Sequence, residues 1–214
     1  MIFDCDGVLV DSEGISTGVL AQLLTQAGVP TSAAESRRTY QGMMMDQITE
    51  HASQRLGRPL PDGFPDRFVA QREVEFRARL EPVAGAAEAV RRVRDAGIGV
   101  CVASQGTISK TELTLGLTGL RGLFDDGTLF SSYSVARGKP HPDVFLHAAE
   151  VMGSTPSETV VVEDSPSGVT AALSAGMRAY RYLTDGDDPR PEDCVEMFRS
   201  MYDLPALIGL AADR

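Results

Sequence analysis

After Pro82 the chain alternates short, apolar runs with amphipathic segments, and this rhythm restricts the possible fold more than any other feature of the 214 residues. Ile98–Ala103, Thr128–Ser131, Thr159–Val162 and Arg178–Leu183 read as strands. Between them, Ala86, Val90 and Val93 mark a helix ended by Gly97, Thr107–Leu117 reads as a second, and Asp143–Met152 as a third stopped by Gly153. A fourth is capped by Ser165, carries Pro166 at its first position and ends at Gly176. Strands that are apolar without alternation are covered on both faces, and regular strand–helix alternation makes their sheet parallel. The expected class is α/β, a doubly wound parallel sheet, with Met1-Ile2-Phe3 as one more short apolar run at the start.

Residues 14–80 break the rhythm, because they contain no strand signal. Ile15, Val19, Leu20, Leu23 and Leu24 recur at helical spacing until Gly28 and Pro30 stop the pattern. Residues 31–80 read as further helices, interrupted by the loop Gly57-Arg58-Pro59-Leu60-Pro61-Asp62-Gly63. The expected organisation is an α/β core, 1–13 and 81–214, with an all-helical insertion at 14–80. Residues 184–194 are polar and contain proline, and read as a surface loop.

Chemistry concentrates where predicted strands end. In an extended Asp4-Cys5-Asp6-Gly7, Asp4 and Asp6 point one way and Cys5 the other. Two carboxylates at the end of a buried strand are unfavourable unless a cation or substrate needs them, and ligands of doubly wound sheets bind at that end. The plainer alternative is an acidic turn made by Gly7. Val102-Ala103-Ser104-Gln105-Gly106 places a hydroxyl and free N–H groups before a helix, either a phosphate cradle or a simple turn. Gly138-Lys139-Pro140-His141-Pro142-Asp143 presents a lysine on a proline-stiffened loop, where a solvated side chain is the ordinary outcome. Val161-Val162-Glu163-Asp164-Ser165-Pro166 ends a strand in two acids, with Ser165 serving as a cap in any case.

Taken together and in this order, the four segments resemble the haloacid dehalogenase superfamily, in its phosphatase and sugar-phosphate mutase branch with a helical cap. The resemblance covers nearly the whole chain, with 14–80 as the cap. The second acid, Asp6, separates it from the dehalogenases proper. Leu129-Phe130-Ser131-Ser132-Tyr133 before Lys139-Pro140, with Phe145-Leu146-His147-Ala148-Ala149, looks most like bacterial sugar-acid and sugar-phosphate phosphatases.

The resemblance implies that Asp4 is a nucleophile that carries an aspartyl-phosphate and Asp6 the general acid and base. It implies Mg²⁺ held by Asp4, the Asp6 carbonyl and Asp164, with Glu163 in or beside that shell. Ser104, the N–H of Gln105 and Lys139 would hold the phosphoryl oxygens of a small phosphorylated metabolite. A sugar-phosphate mutase is the alternative enzyme, and a non-catalytic binding protein the alternative of another class. Mutases carry a histidine where this chain has Ser16, and a cap-loop arginine where it has Gly42-Met43-Met44-Met45, which favours hydrolysis. Those methionines either pack inside the cap or line a pocket.

Composition excludes other partners. A net charge of −10 and a pI near 4.8 oppose nucleic acid and anionic membrane. No apolar run approaches a membrane span, and Asp4 comes too early for a signal peptide. Cys5, Cys101 and Cys194 form no CxxC pair, so reduced thiols in a cytoplasm are expected. His51, His141 and His147 make no ligand cluster, and Arg37-Arg38 and Arg91-Arg92 read as solvated helix faces. Arg37, Arg38 and Arg72 remain candidates for meeting an anionic substrate.

Overall fold

The computed structural model describes residues 1–184 and 195–210. Six strands form one sheet in the order β3-β2-β1-β4-β5-β6, and every pair is parallel. They are β1 (Ile2–Phe3), β2 (Cys101–Ser104), β3 (Leu129–Ser131), β4 (Val160–Glu163), β5 (Arg178–Tyr182) and β6 (Glu196–Phe198). The register aligns two rows of side chains across the middle of the sheet. Ile2, Cys101, Val161 and Ala179 form one row, and Phe3, Val102, Val162 and Tyr180 the other. Successive side chains on a strand face opposite sides, so burial of both rows means that both faces are covered. The first row packs against α7 (Asp143–Val151) and α8 (Pro166–Ser174) through Val144, Phe145, Ala148, Ala171 and Ala172.

The chain divides into two compact units, Met1–Val10 with Pro82–Arg214, and Asp11–Glu81. The second is built from α1 (Glu13–Gln26), α2 (Ala33–Tyr40), α3 (Met45–Leu56) and α4 (Phe64–Arg79). Its core joins Val19, Leu20, Leu23 and Leu24 to Tyr40, Ile48, Phe64 and Phe68. Met43 and Met45 pack against that core. Arg72 lays its guanidinium over Phe68 and Phe76 of its own helix, 4.8 and 5.6 Å from the ring centroids.

In the first unit, α5 (Ala86–Asp95) precedes β2 and α6 (Ile108–Leu117) follows it, and α9 (Leu204–Leu207) closes the described chain. Two expectations need adjustment. The run from Ile98 enters the sheet only at Cys101, where Cys101 N donates to Met1 O and the ladder with β1 begins. The sequence reading also missed β6, an edge strand of three residues with one charged and one half-buried side chain, too short for any period to show. The loop expected at 184–194 lies from 185 onward outside the described residues, as does Cys194.

β1 contributes only two residues to the centre of the sheet, and Phe3 is fully buried. Phe3→Ala should cost about 3–5 kcal/mol in urea unfolding. A loss under about 1 kcal/mol would mean that β1 is not a packed strand.

Candidate active site

The strand order reverses at β1, and the carboxyl ends of β1, β2 and β4 bring the four segments together. Asp4 N still donates to Val162 O, at 2.9 Å, so the aspartate is held at the carboxyl end of a central strand. The chain then turns back. Gly7 adopts φ of +75°, Gly7 N donates to Val10 O at 2.9 Å, and Leu9 N and Val10 N both donate to Cys5 O at 3.0 Å. Only a residue without a Cβ fits here: one placed on Gly7 would lie 2.2 Å from Asp164 Oδ2.

Lys139 is the centre of the constellation. Its Nζ donates to Asp4 Oδ1 at 2.6 Å, Glu163 Oε1 at 2.6 Å and Ala103 O at 2.9 Å, using all three ammonium donors. The Phe145 ring lies 4.8 Å from the same nitrogen. The lysine loop is fixed from behind by Gln105, whose Oε1 accepts from Lys139 N at 3.1 Å and Ser132 Oγ at 2.8 Å. Sequence reasoning assigned Gln105 through its backbone N–H; the structure shows its side chain tying the ends of β2 and β3 to Lys139.

Glu163 is fully engaged. Beyond Lys139, its Oε2 accepts from Ser165 N and Ser165 Oγ at 3.0 and 2.9 Å. Gly168 makes room for it, since a Cβ there would come 1.9 Å from its carboxyl group. Asp164 lies beside it, with its carbonyl accepting from Arg181 Nε on β5 at 3.2 Å. Asp4, Glu163 and Asp164 each offer an oxygen within 4.8 Å of the others, a grouping of buried hard donors that suits Mg²⁺. The missing Cβ of Gly7 lets the Asp164 carboxylate lie directly against the turn that follows Asp4. Among the described residues no histidine joins this cluster. His51 meets the Tyr40 hydroxyl at 3.1 Å, and His147 packs edge-on against Phe130.

Burial raises the Asp4 pKa to about 7, with Glu163 and Asp6 adding to the shift and Lys139 opposing it. Burial works against the Lys139 ammonium, but Asp4 and Glu163 outweigh it and hold that pKa above the ordinary lysine value. Cys5 and Cys101 are free thiols pushed up to about 12, chiefly by burial, and are poor nucleophiles. Asp6 has a partner that sequence reasoning missed: Lys110, on the first turn of α6, forms an ion pair with it. Ser104 Oγ donates to its other oxygen at 3.4 Å and accepts from Gly106 N at 2.9 Å. A cation in a helix's first turn was the available signal, since that end already carries positive charge. Arg181 was legible only as the second of two arginines in β5, the one that the structure buries.

The raised pKa has a consequence for stability without metal. Unfolded Asp4 ionises near 3.8 and folded Asp4 near 7, so between these values unfolding releases a proton and stability falls as pH rises. Chelated protein should therefore melt lower at about pH 8 than at about pH 5, and Asp4→Asn should remove part of that drop. Calorimetry showing equal drops in both proteins would assign the pH dependence to other groups.

A family model described as haloacid dehalogenase-like hydrolase matches residues 1–176. The chain is 29% identical over 210 residues to a 6-phosphogluconate phosphatase of Escherichia coli (strain K12), covering 97% of this chain and 93% of that protein. It is 30% identical over 181 residues to hexitol phosphatase B of the same strain, covering 83% and 80%. Among solved structures, a HAD-family hydrolase from Deinococcus radiodurans R1 with bound phosphate and sodium superposes with a TM-score of 0.76 at 30% identity, covering 97% and 93%. With a family model over most of its length and the same fold in a relative of this identity, the chain belongs to the haloacid dehalogenase-like hydrolases.

Proposed function

We propose that the protein is a Mg²⁺-dependent phosphatase that hydrolyses a small phosphorylated metabolite, a sugar phosphate, sugar-acid phosphate or polyol phosphate, through an aspartyl-phosphate on Asp4. The observation that carries this reading is the buried Asp4 carboxylate at a strand end, held 2.6 Å from the Lys139 ammonium. Lys139 orients Asp4 and supplies positive charge where phosphoryl oxygens gather. Ser104 and the N–H of Gln105 complete that grip. The Asp4 carboxylate attacks phosphorus and the ester bond breaks, with Asp6 passing a proton to the departing oxygen. Asp6 then takes a proton from the water that cleaves the acyl phosphate. Asp4, Asp164 and the Asp6 carbonyl would hold Mg²⁺, with Glu163 beside them as the partner of Lys139. When bound, the ion neutralises charge on the phosphoryl group.

The polyhydroxylated substrate class is supported by the relatives named for 6-phosphogluconate and hexitol phosphates. We read Asp11–Glu81 as the cap and the remainder as the core. Hydrolysis is favoured over mutase chemistry by the cap sequence. A mutase must hold a second phosphate, for which bidentate arginine is best shaped, and Gly42-Met43-Met44-Met45 supplies none. The cytoplasm is the setting that best suits the buried thiols Cys5 and Cys101. No helix of the described residues is long and apolar enough to cross a membrane.

A phosphate-release screen over sugar, sugar-acid and polyol phosphates should find a substrate whose turnover EDTA abolishes and Mg²⁺ restores. Asp4→Asn should lower kcat by more than about a thousandfold, on the order of 4 kcal/mol, because an amide cannot form the acyl phosphate. Near wild-type turnover in that variant would remove the covalent route. With β-glucose 1-phosphate and catalytic bisphosphate, free phosphate should outpace glucose 6-phosphate; the reverse would establish a mutase.

A further inference from the structure

Lys110 sits where a lysine is disfavoured twice. It lies in the first turn of α6, beside N–H groups that already carry positive charge. It is also buried, at 8% exposure, which strips water from the ammonium. Its compensating anion is Asp6: Lys110 Nζ donates to Asp6 Oδ1. The path of the side chain is prepared. Thr107 Oγ1 accepts from Lys110 N at 3.3 Å and starts the helix. The stem then folds back over Gly106, where a Cβ would come 3.0 Å from Lys110 Cδ. Ser104 Oγ takes the second oxygen of Asp6 at 3.4 Å. Both carboxylate oxygens are thus gripped by the single loop, 104–110, that leads β2 into α6.

We infer that Lys110 is a positioning residue for phosphoryl transfer: it fixes the direction in which the Asp6 carboxyl group meets the leaving oxygen. This rests on the proposed role of Asp6 as proton donor. A proton passes in the transition state only along an aligned path, and a misplacement of about 1 Å costs on the order of a hundredfold. The reaction itself keeps its balance. Asp6, held ionised by Lys110, takes a proton from the monoanion of the phosphate ester and passes it to the departing oxygen as Asp4 bonds to phosphorus and the ester bond breaks. Lys110 transfers no proton and acts only through Asp6.

The test is the leaving-group dependence of kcat/KM, which reports on ester cleavage whatever the later steps. Phenyl phosphate and p-nitrophenyl phosphate have nearly the same shape, but phenol leaves poorly and needs the proton, whereas p-nitrophenol leaves well without it. Lys110→Met should lower kcat/KM for phenyl phosphate on the order of a hundredfold, and for p-nitrophenyl phosphate only a few-fold. Lys110→Gln keeps an N–H donor of shorter reach and should fall between, and it carries the same comparison if the methionine variant melts without a cooperative transition. Equal losses on the two esters, or no loss on either, would overturn the inference. Asp6→Asn is measured alongside. If it widens the gap between the esters and neither lysine variant does, the role of Asp6 stands and that of Lys110 is rejected. If Asp6→Asn leaves the gap unchanged, the proton-donor reading fails and takes the inference with it.

Discussion

Asp4 and Glu163 lie side by side out of water, and transferring each carboxylate from water is unfavourable by roughly several kcal/mol. The Lys139 ammonium, 2.6 Å from both, is what makes the pair tenable. The surrounding features follow from holding that ammonium in place. Ala103 O takes its third proton, Gln105 pins the backbone of its loop, and Phe145 closes one side. The opposing effects on Asp4 leave it with a pKa near neutrality. Small changes in local charge can therefore decide whether it is ionised. A bound phosphate and a cation would each enter this balance.

The fold was legible because its strands are short apolar stretches bounded by strong punctuation. Gly97, Gly153 and Gly176 end helices, and Pro166 begins one after the capping hydroxyl of Ser165, which accepts from Gly168 N at 3.0 Å. Boundaries moved by a residue or two, as they do when end residues are placed by their neighbours and not by their own preference. The weak edge strand β6 was invisible for that reason, since its pairing with β5 is set entirely by tertiary contact.

The acids could be found because they lie at strand ends, and Lys139 because it sits on the proline-stiffened loop before α7, each within a dense local motif. Lys110 and Arg181 carried only weak local signals, because their meaning lies in partners far away in sequence: Asp6 for one and the Asp164 carbonyl for the other. Gly168 was hidden for a different reason. Its contribution is an absence, the room it leaves for the Glu163 carboxyl group, and in sequence it reads as an ordinary small residue early in a helix. Met43 and Met45 show the converse, a conspicuous run that packs against the core of its own helical unit.

The brevity of β1 also bears on how the molecule comes into being. Ile2 and Phe3 have no neighbour in the sheet until Cys101–Val102 and Val161–Val162 exist to receive them. Long-range pairing of this kind is slow, since loop closure must precede any gain from contact. The proposed nucleophile is thus seated only once strands far downstream of it exist to receive β1. A nascent chain lacking β4 has neither the strand that holds Asp4 nor Glu163 to share its lysine, so a half-made molecule cannot assemble the cluster around Lys139.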